Sequence, residues 1–202
     1  MNSSEKERSV ARERILDSAY ELFSTEGVNA VGVDTIVARS GSGKMTLYRH
    51  FKSKDALVLA FLEKREQHWT RDWLEIRIRE GDKSPEERLL FIFDLFDEWF
   101  RRDDFEGCSF INSLLECRQT ENIRSASAQH LAHIRAIIEK LAREAGLIDV
   151  ERFARSWHVL MKGSIVARHE GHLDAALEAK ATAKLVFANW PRSRATRAGL
   201  SS

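Results

Sequence analysis

Proline and cysteine are nearly missing from this chain of 202 residues, with two of each. Two cysteines, Cys108 and Cys117, are too few for a disulfide framework and read as ordinary buried or half-buried thiols. With so little proline, and with apolar residues spaced for helices and no strand-like alternation, the sequence predicts an all-α protein. No apolar run approaches the roughly 20 residues that cross a bilayer. No signal-peptide pattern opens the chain either, so a cytoplasmic protein without a membrane partner is expected. A large charge excess is also missing: the net charge is +1. The balance is uneven along the chain, because residues 1–54 carry nine basic and seven acidic side chains, residues 55–191 twenty and twenty-four, and residues 192–202 three and none. Positive charge therefore gathers at the two ends, and local charge decides where an anion binds.

What the chain does have is concentrated in Thr35 to Phe51, TIVARSGSGKMTLYRHF, followed by KSKDAL. Val33, Ile36 and Val37 make one short amphipathic pattern, and Leu47 and Phe51 make another four residues apart. Between them Gly41-Ser42-Gly43 offers positive-φ tolerance and an N-cap oxygen, which is the grammar of a helix-turn-helix. If Leu47 and Phe51 face inward, Met45, Arg49 and Lys52 face outward with Thr46 and Tyr48 on the flanks. Lys44 and Thr46 suit base edges or phosphates, and Tyr48 suits a phosphate. From Arg39 through Lys54 there are five lysines or arginines, no acid, and His50 besides. The same stretch contains GSGKMT, which looks like a phosphate-binding loop. That loop needs a glycine where Ala38 stands and a hydroxyl where Met45 stands, so nucleotide binding is rejected.

Residues 10 to 58 resemble the DNA-binding domain of the TetR family of transcriptional regulators. ERILDSAYELFSTEGVNAVGVDTIVARSGSGKMTLYRHFKSKDAL follows that family's order: a long first helix, an E-G turn, a short second helix, a glycine turn, T-L-Y-x-H-F, and a lysine opening the next helix. By position the resemblance implies DNA contacts from Thr35, Lys44, Met45, Thr46, Tyr48, Arg49, His50 and Lys54, with Val33 and Asp34 beside them. The chain departs from the family at Gly32, where a Thr or Ser cap is usual, at Val37, which replaces an alanine, and at Ser42, which replaces a valine.

The rest of the chain is consistent with a helical regulator. Met1 to Ser9 is polar and is expected to be a loose arm; Ile15, Leu16, Ala19, Tyr20 and Phe23 form a stripe that can roof the two short helices. A fourth helix capped by Ser53 runs toward Arg79, Ser84-Pro85 starts another, and Leu131 to Leu147 forms a further amphipathic helix. The resemblance implies that the segment DFEGCSFINSLLECR walls a ligand cavity. Trp69, Trp99, Phe110, Asn112, Arg118, Trp157, His158 and Met161 are candidate lining residues for a small-molecule effector, although aromatic and Met residues at helical spacing equally describe a core.

The last two helices carry apolar stripes, Trp157, Met161 and Ile165 on one, and Ala176, Ala179, Ala183, Val186, Phe187 and Trp190 on the other. In the family such a pair meets its copy in a homodimer; the same stripes suit an intramolecular core. Two-fold pairing is expected because one short reading helix contacts only a few base pairs. His130 with His133, and His169 with His172, are three apart, but no further ligand is spaced to complete a metal site, and HEGH is not the zinc motif. No acid, base and nucleophile converge as an enzyme needs. The expected organisation is all-α: a three-helix helix-turn-helix domain over 1–54, a helical ligand-binding and dimerisation domain over 55–191, and a flexible basic tail over 192–202. The expected function is a repressor that binds double-stranded DNA as a homodimer, is released by a small molecule, and uses no cofactor or metal.

Overall fold

The protein is described here by a computed structural model covering residues 3–193, in which all regular structure is helical apart from one isolated bridge between Leu147 and Arg192. The described residues pack as two units. One runs to His68 and takes in Cys108–His130; the other is Trp69–Gly107 with the residues from Leu131 onward.

The first unit begins with α1 (Ser3–Glu26), α2 (Val33–Ser40), α3 (Lys44–His50) and α4 (Lys54–Arg65). Instead of a loose arm to Ser9, α1 is helical from Ser3, because Glu5, Lys6, Glu7 and Arg8 are strong helix formers with no glycine or proline among them. Ile15, Leu16, Ala19 and Phe23 of α1 are buried, as are Ile36 of α2, Leu47 of α3, and Leu57 and Phe61 of α4. Phe61 meets Tyr20 and Phe23 edge-on at 5.6 and 5.5 Å. Ser53 caps α4 by accepting the Ala56 N–H at 3.1 Å, as its place in the sequence predicts. The unit is completed by α7 (Ser109–Glu116) and the start of α8 (Glu121–Glu144), a helix that begins ten residues before the expected Leu131. That early segment, ENIRSASAQH, is too polar for apolar spacing to reveal.

In the second unit the expected helix to Arg79 continues as a π-helical stretch, Glu66–Glu75, and then α5 (Ile76–Arg79). Helix α6 (Pro85–Phe100) opens with a full capping box: Ser84 Oγ accepts from Glu87 N at 3.3 Å, and Glu87 Oε2 accepts from Ser84 N at 2.7 Å. Those bonds hold the Glu87 carboxyl below its ordinary range. Helices α9 (Val150–His169) and α10 (Ala175–Ala188) pack on each other, and α10 packs on α6.

This packing revises the expected dimer stripes. Trp157, Met161, Ile165, Ala176, Ala183 and Phe187 are all buried within one chain, and Ala179, Val186 and Trp190 are half-buried. On α9 the large Trp157 and Met161 went to the chain's own core, where they gain most from leaving water, while on α10 small alanines are buried and Leu177 and Leu185 are exposed. Both helices carry a second apolar face that stays exposed: Val159, Gly163 and Val166 on α9, and Leu177, Ala181, Leu185 and Ala188 on α10. Arg192 and Ser193, expected to start the flexible tail, are fixed. Ser193 N donates to Gly146 O at 2.9 Å, and the Arg192 guanidinium stacks 4.5 Å from the Phe187 ring centroid. The remainder of that expected tail, 194–202, lies outside the described residues.

His158 is 3 % exposed, and its Nδ1 has no hydrogen-bond partner. Burial, then the charges of Lys162 and Arg135, push its pKa down to about 3 from 6.5. The folded protein therefore holds His158 neutral where the unfolded chain would protonate it, so this residue's contribution to stability is intact above pH 6.5 and is lost as pH falls toward 3. Urea unfolding at stepped pH should show the wild type losing stability relative to His158→Gln by up to about 1.4 kcal/mol per pH unit in that window. Parallel pH curves for the two proteins would refute this.

Candidate nucleic-acid interface

The turn between α2 and α3 is made by Gly41, at φ +61°, whose N–H donates to Ala38 O at 3.3 Å while Ser42 N donates to Val37 O at 3.3 Å. Gly43 is in extended backbone at φ −80° and is itself the N-cap of α3, with no side-chain cap bond. Ser42, expected to supply the capping oxygen, does not: its Oγ is buried and unpartnered. Gly32 likewise caps α2 without a side-chain bond.

Leu47 and Phe51, 0 % and 4 % exposed, pin α3 and the residue after it into the first unit's core. The opposite side is open. Met45 is 81 % exposed and Tyr48 41 %, Arg49 and Lys52 are exposed, and Thr46, His50 and Lys54 are half-buried. Thr35 is exposed on α2. Lys44 Nζ donates to Asp34 Oδ1 at 2.8 Å, and that bond raises the lysine's pKa. Asp34 thus neither caps its own helix nor stands as a free carboxylate.

The electrostatics favour an anion. Burial, and then the positive charges of Arg12, Arg49 and Arg8, lower the pKa of His50. Arg8 and Arg12, one helical turn apart on α1, were not among the sequence candidates, though their i,i+4 spacing was a usable signal. The Arg12 guanidinium lies 5.1 Å from the Phe51 ring centroid, and Lys54 Nζ lies 6.0 Å from that of Phe23. Several acids of the unit are paired: Asp17 and Glu13 with Lys64, Glu13 also with Arg12 at 3.1 Å, and Glu21 with Arg39 at 2.6 Å. Arg8, Arg49, Lys52 and Lys54 form no ion pair with a described residue.

A further contact was hidden by sequence distance. Asn29 N donates to Glu116 Oε2 at 3.1 Å and Asn29 Nδ2 to Glu116 O at 3.0 Å, fastening the end of α7 to the loop between α1 and α2. The two residues are 87 apart, and no local pattern announces them.

The expected effector residues divide between the units. Phe110 is buried, Asn112 half-buried and Arg118 exposed in the first; Trp99, Trp157, His158 and Met161 are buried and Trp69 half-buried in the second. Trp69 lies against Trp73, Phe96 and Trp99, with ring centroids 5.2 to 6.0 Å apart, so these rings pack on each other. None of the eight lines a cleft of about 380 Å³ that the second unit holds elsewhere. Cys117 is buried, Cys108 half-buried, and burial and the charge of Glu116 push the Cys117 thiol up. Among the described residues no three His, Cys, Asp or Glu side chains gather as a metal site requires, and no helix is long and apolar enough to cross a membrane.

Residues 15–61 match the family model described as bacterial regulatory proteins, tetR family. The HTH-type transcriptional regulator QacR of Staphylococcus aureus is 40% identical over 68 residues, covering 34% of this chain and 36% of its own. The HTH-type transcriptional repressor NicS of Pseudomonas putida is 27% identical over 131 residues, 63% of this chain and 61% of its own. The chain thus spans between about a third and three-fifths of these two relatives. A TetR transcriptional regulator from Chloroflexus aurantiacus superposes with a TM-score of 0.78 at 21% identity, over 93% of this chain and all of that one, and shares its fold.

The two turn glycines should respond oppositely to one substitution. A Cβ on Gly41 meets nothing within 4 Å, so Gly41→Ser is opposed by backbone strain alone, about 1 to 2 kcal/mol. Gly43→Ser, whose Cβ would sit 3.8 Å from Thr46 Oγ1, adds the missing cap, a gain of a few tenths of a kcal/mol by ordinary capping preference, about 0.3. Urea denaturation reads both; equal effects would contradict the turn geometry.

Proposed function

We propose, from the chain's membership of the TetR family of bacterial regulatory proteins, that it is a transcriptional repressor that binds a palindromic operator as a homodimer and is released by a small-molecule effector. The observation that carries this reading is the outer side of α3: Met45, Tyr48 and Arg49 exposed, Leu47 buried behind them, and the Asp34 carboxylate beside them taken up by Lys44. In this reading α3 enters the major groove. Lys44, Met45 and Thr46 reach base edges, while Thr35, Tyr48, Arg49, His50 and Lys54 meet the backbone and fix the register. Lys44 exchanges Asp34 for a phosphate or a guanine edge. Repression is supported by NicS, a named repressor that aligns with 63% of this chain.

The homodimer forms through the exposed faces of α9 and α10, not the stripes buried in the core. Val159, Val166, Leu177 and Leu185 are 65, 52, 41 and 67 % exposed, an apolar surface that a soluble chain leaves open chiefly for a partner. Gly163 lies between the two valines with open space where a Cβ would be, which allows a second helix to come close. Two copies place two reading helices at the roughly 34 to 36 Å repeat of successive major grooves. An effector that alters that separation weakens both contacts together, and a coupling of about 1 to 3 kcal/mol suffices for release.

Selection of random duplexes against the full chain should enrich a two-fold symmetric site. Tyr48→Ala and Arg49→Ala should each bind it at least about tenfold more weakly, and log affinity should fall against log salt with a slope of roughly −5 to −7. Failure to enrich any site, or a flat salt response, would refute DNA reading. Transcription from a promoter carrying the site should fall when the protein is added; a rise would make the protein an activator. Separately, Leu185→Glu should leave a folded monomer in analytical ultracentrifugation and abolish operator shift, whereas an undisturbed dimer would exclude this face.

A further inference from the structure

The cleft of about 380 Å³ in the second unit lies between α5, the start of α6 and the later half of α8. Its size falls within the roughly 300 to 1,000 Å³ of small-molecule sites. The floor is apolar, with Ile78 and Leu141 buried and Ile137 half-buried.

The wall is mostly basic: Arg79, Arg88 and Lys140, with His133 beside them, line it together with the carboxylates Glu75 and Glu144. Glu75 is already engaged on both oxygens, by Arg79 Nη2 at 2.6 Å and by His133 Nε2 at 3.3 Å. Arg88 has no such partner. Its Nε is buried without a hydrogen bond, and it forms no ion pair with a described residue. A buried guanidinium N–H without an acceptor is destabilising, and its donors form a fork that suits an oxyanion. Lys140 forms no ion pair with a described residue either, and Glu144, one turn further along α8, is the only carboxylate of the wall left unengaged.

We propose that this cleft binds an amphipathic organic anion, an oxyanion head on a short apolar body. Arg88 and Lys140 hold the head, and Ile78, Ile137 and Leu141 cover the body. Carboxylate and phosphate heads share the required chemistry, and the choice of probes separates them. That the bound anion acts as the effector rests on the regulator reading; that it binds does not.

Calorimetry on the full chain, without DNA, uses four probes of eight carbons each: octanoate, octyl phosphate, octanol and octylammonium. At least one of the two anions should bind, with the tighter one naming the head group, and octanol should bind at least about tenfold more weakly. Octylammonium should give no saturable heat. Arg88→Met should weaken the anion by at least about tenfold and leave octanol unchanged. Lys140→Met, exposed on the same wall, gives the same readout if Arg88→Met does not fold, and Lys184→Met, outside the cleft, should have no effect. Octanol binding as tightly as octanoate, a preference for the cation, or anion affinity unchanged in both variants would overturn the proposal. Because no DNA is present, these failures are distinct from failure to select an operator. A bound anion that does not release the selected operator would remove the effector role alone.

Discussion

Everything proposed for the DNA-facing side depends on one constraint: α3 is seven residues long and cannot hold itself together. An isolated helix of that length does not survive in water, because nucleation fixes several residues for each hydrogen bond gained. The helix exists because Leu47 and Phe51 are buried in a core shared with Ile15, Ala19, Phe23 and Phe61. That burial sets more than stability. It fixes the rotation of α3, and so determines that Met45, Tyr48 and Arg49 meet the solvent while Leu47 faces inward. Gly41 sets the other degree of freedom, the angle at which the chain leaves α2, by occupying left-handed backbone that other residues adopt with strain.

The helix-turn-helix was legible in the sequence because it is local. Its apolar pair, its turn glycine and its basic residues all fall within about four helical turns, the range over which periodicity carries information. Local reading erred where a choice depended on partners elsewhere in the chain. Ser42 looked like a source of the capping oxygen, yet α3 starts at Lys44 and Gly43 takes the capping position instead. Glu116 and Asn29 could not be matched because nothing ties a residue in α7 to a loop 87 positions earlier except the fold itself. Arg8 was masked by the expectation that the residues to Ser9 were loose, when α1 in fact carries it, with Arg12 one turn on, beside His50.

The effector and dimer residues show a different limit. A helix with two apolar faces gives two answers to a periodicity test, and nothing local decides between them. Trp157, Met161 and Phe187 are buried in their own chain, with the small Ala176 and Ala183 beside Phe187 on α10; the exposed stripe is made of valines, leucines, alanines and a glycine. Among the effector candidates, Trp69, Trp99 and Trp157 pack against other aromatic rings. The proposed anion cleft lies where charged and apolar residues are scattered along α5, α6 and α8, and only their assembly reveals an arginine nitrogen that is buried and unpaired.

Gly163 makes the strongest structural case for a partner on the exposed face. A glycine inside a helix costs about 0.5 to 1 kcal/mol relative to alanine, through extra freedom in the unfolded chain. Such a cost is usually explained by a neighbour that would collide with a side chain. Within this chain there is none, because a Cβ at Gly163 meets nothing within 4 Å, and its backbone is ordinary helix. Val159 and Val166 flank it at i−4 and i+3, on the same side of α9. A groove floored by glycine and edged by two valines is the shape into which a second α-helix packs at short range. The missing side chain therefore has a physical reason in a dimer and none in the isolated chain.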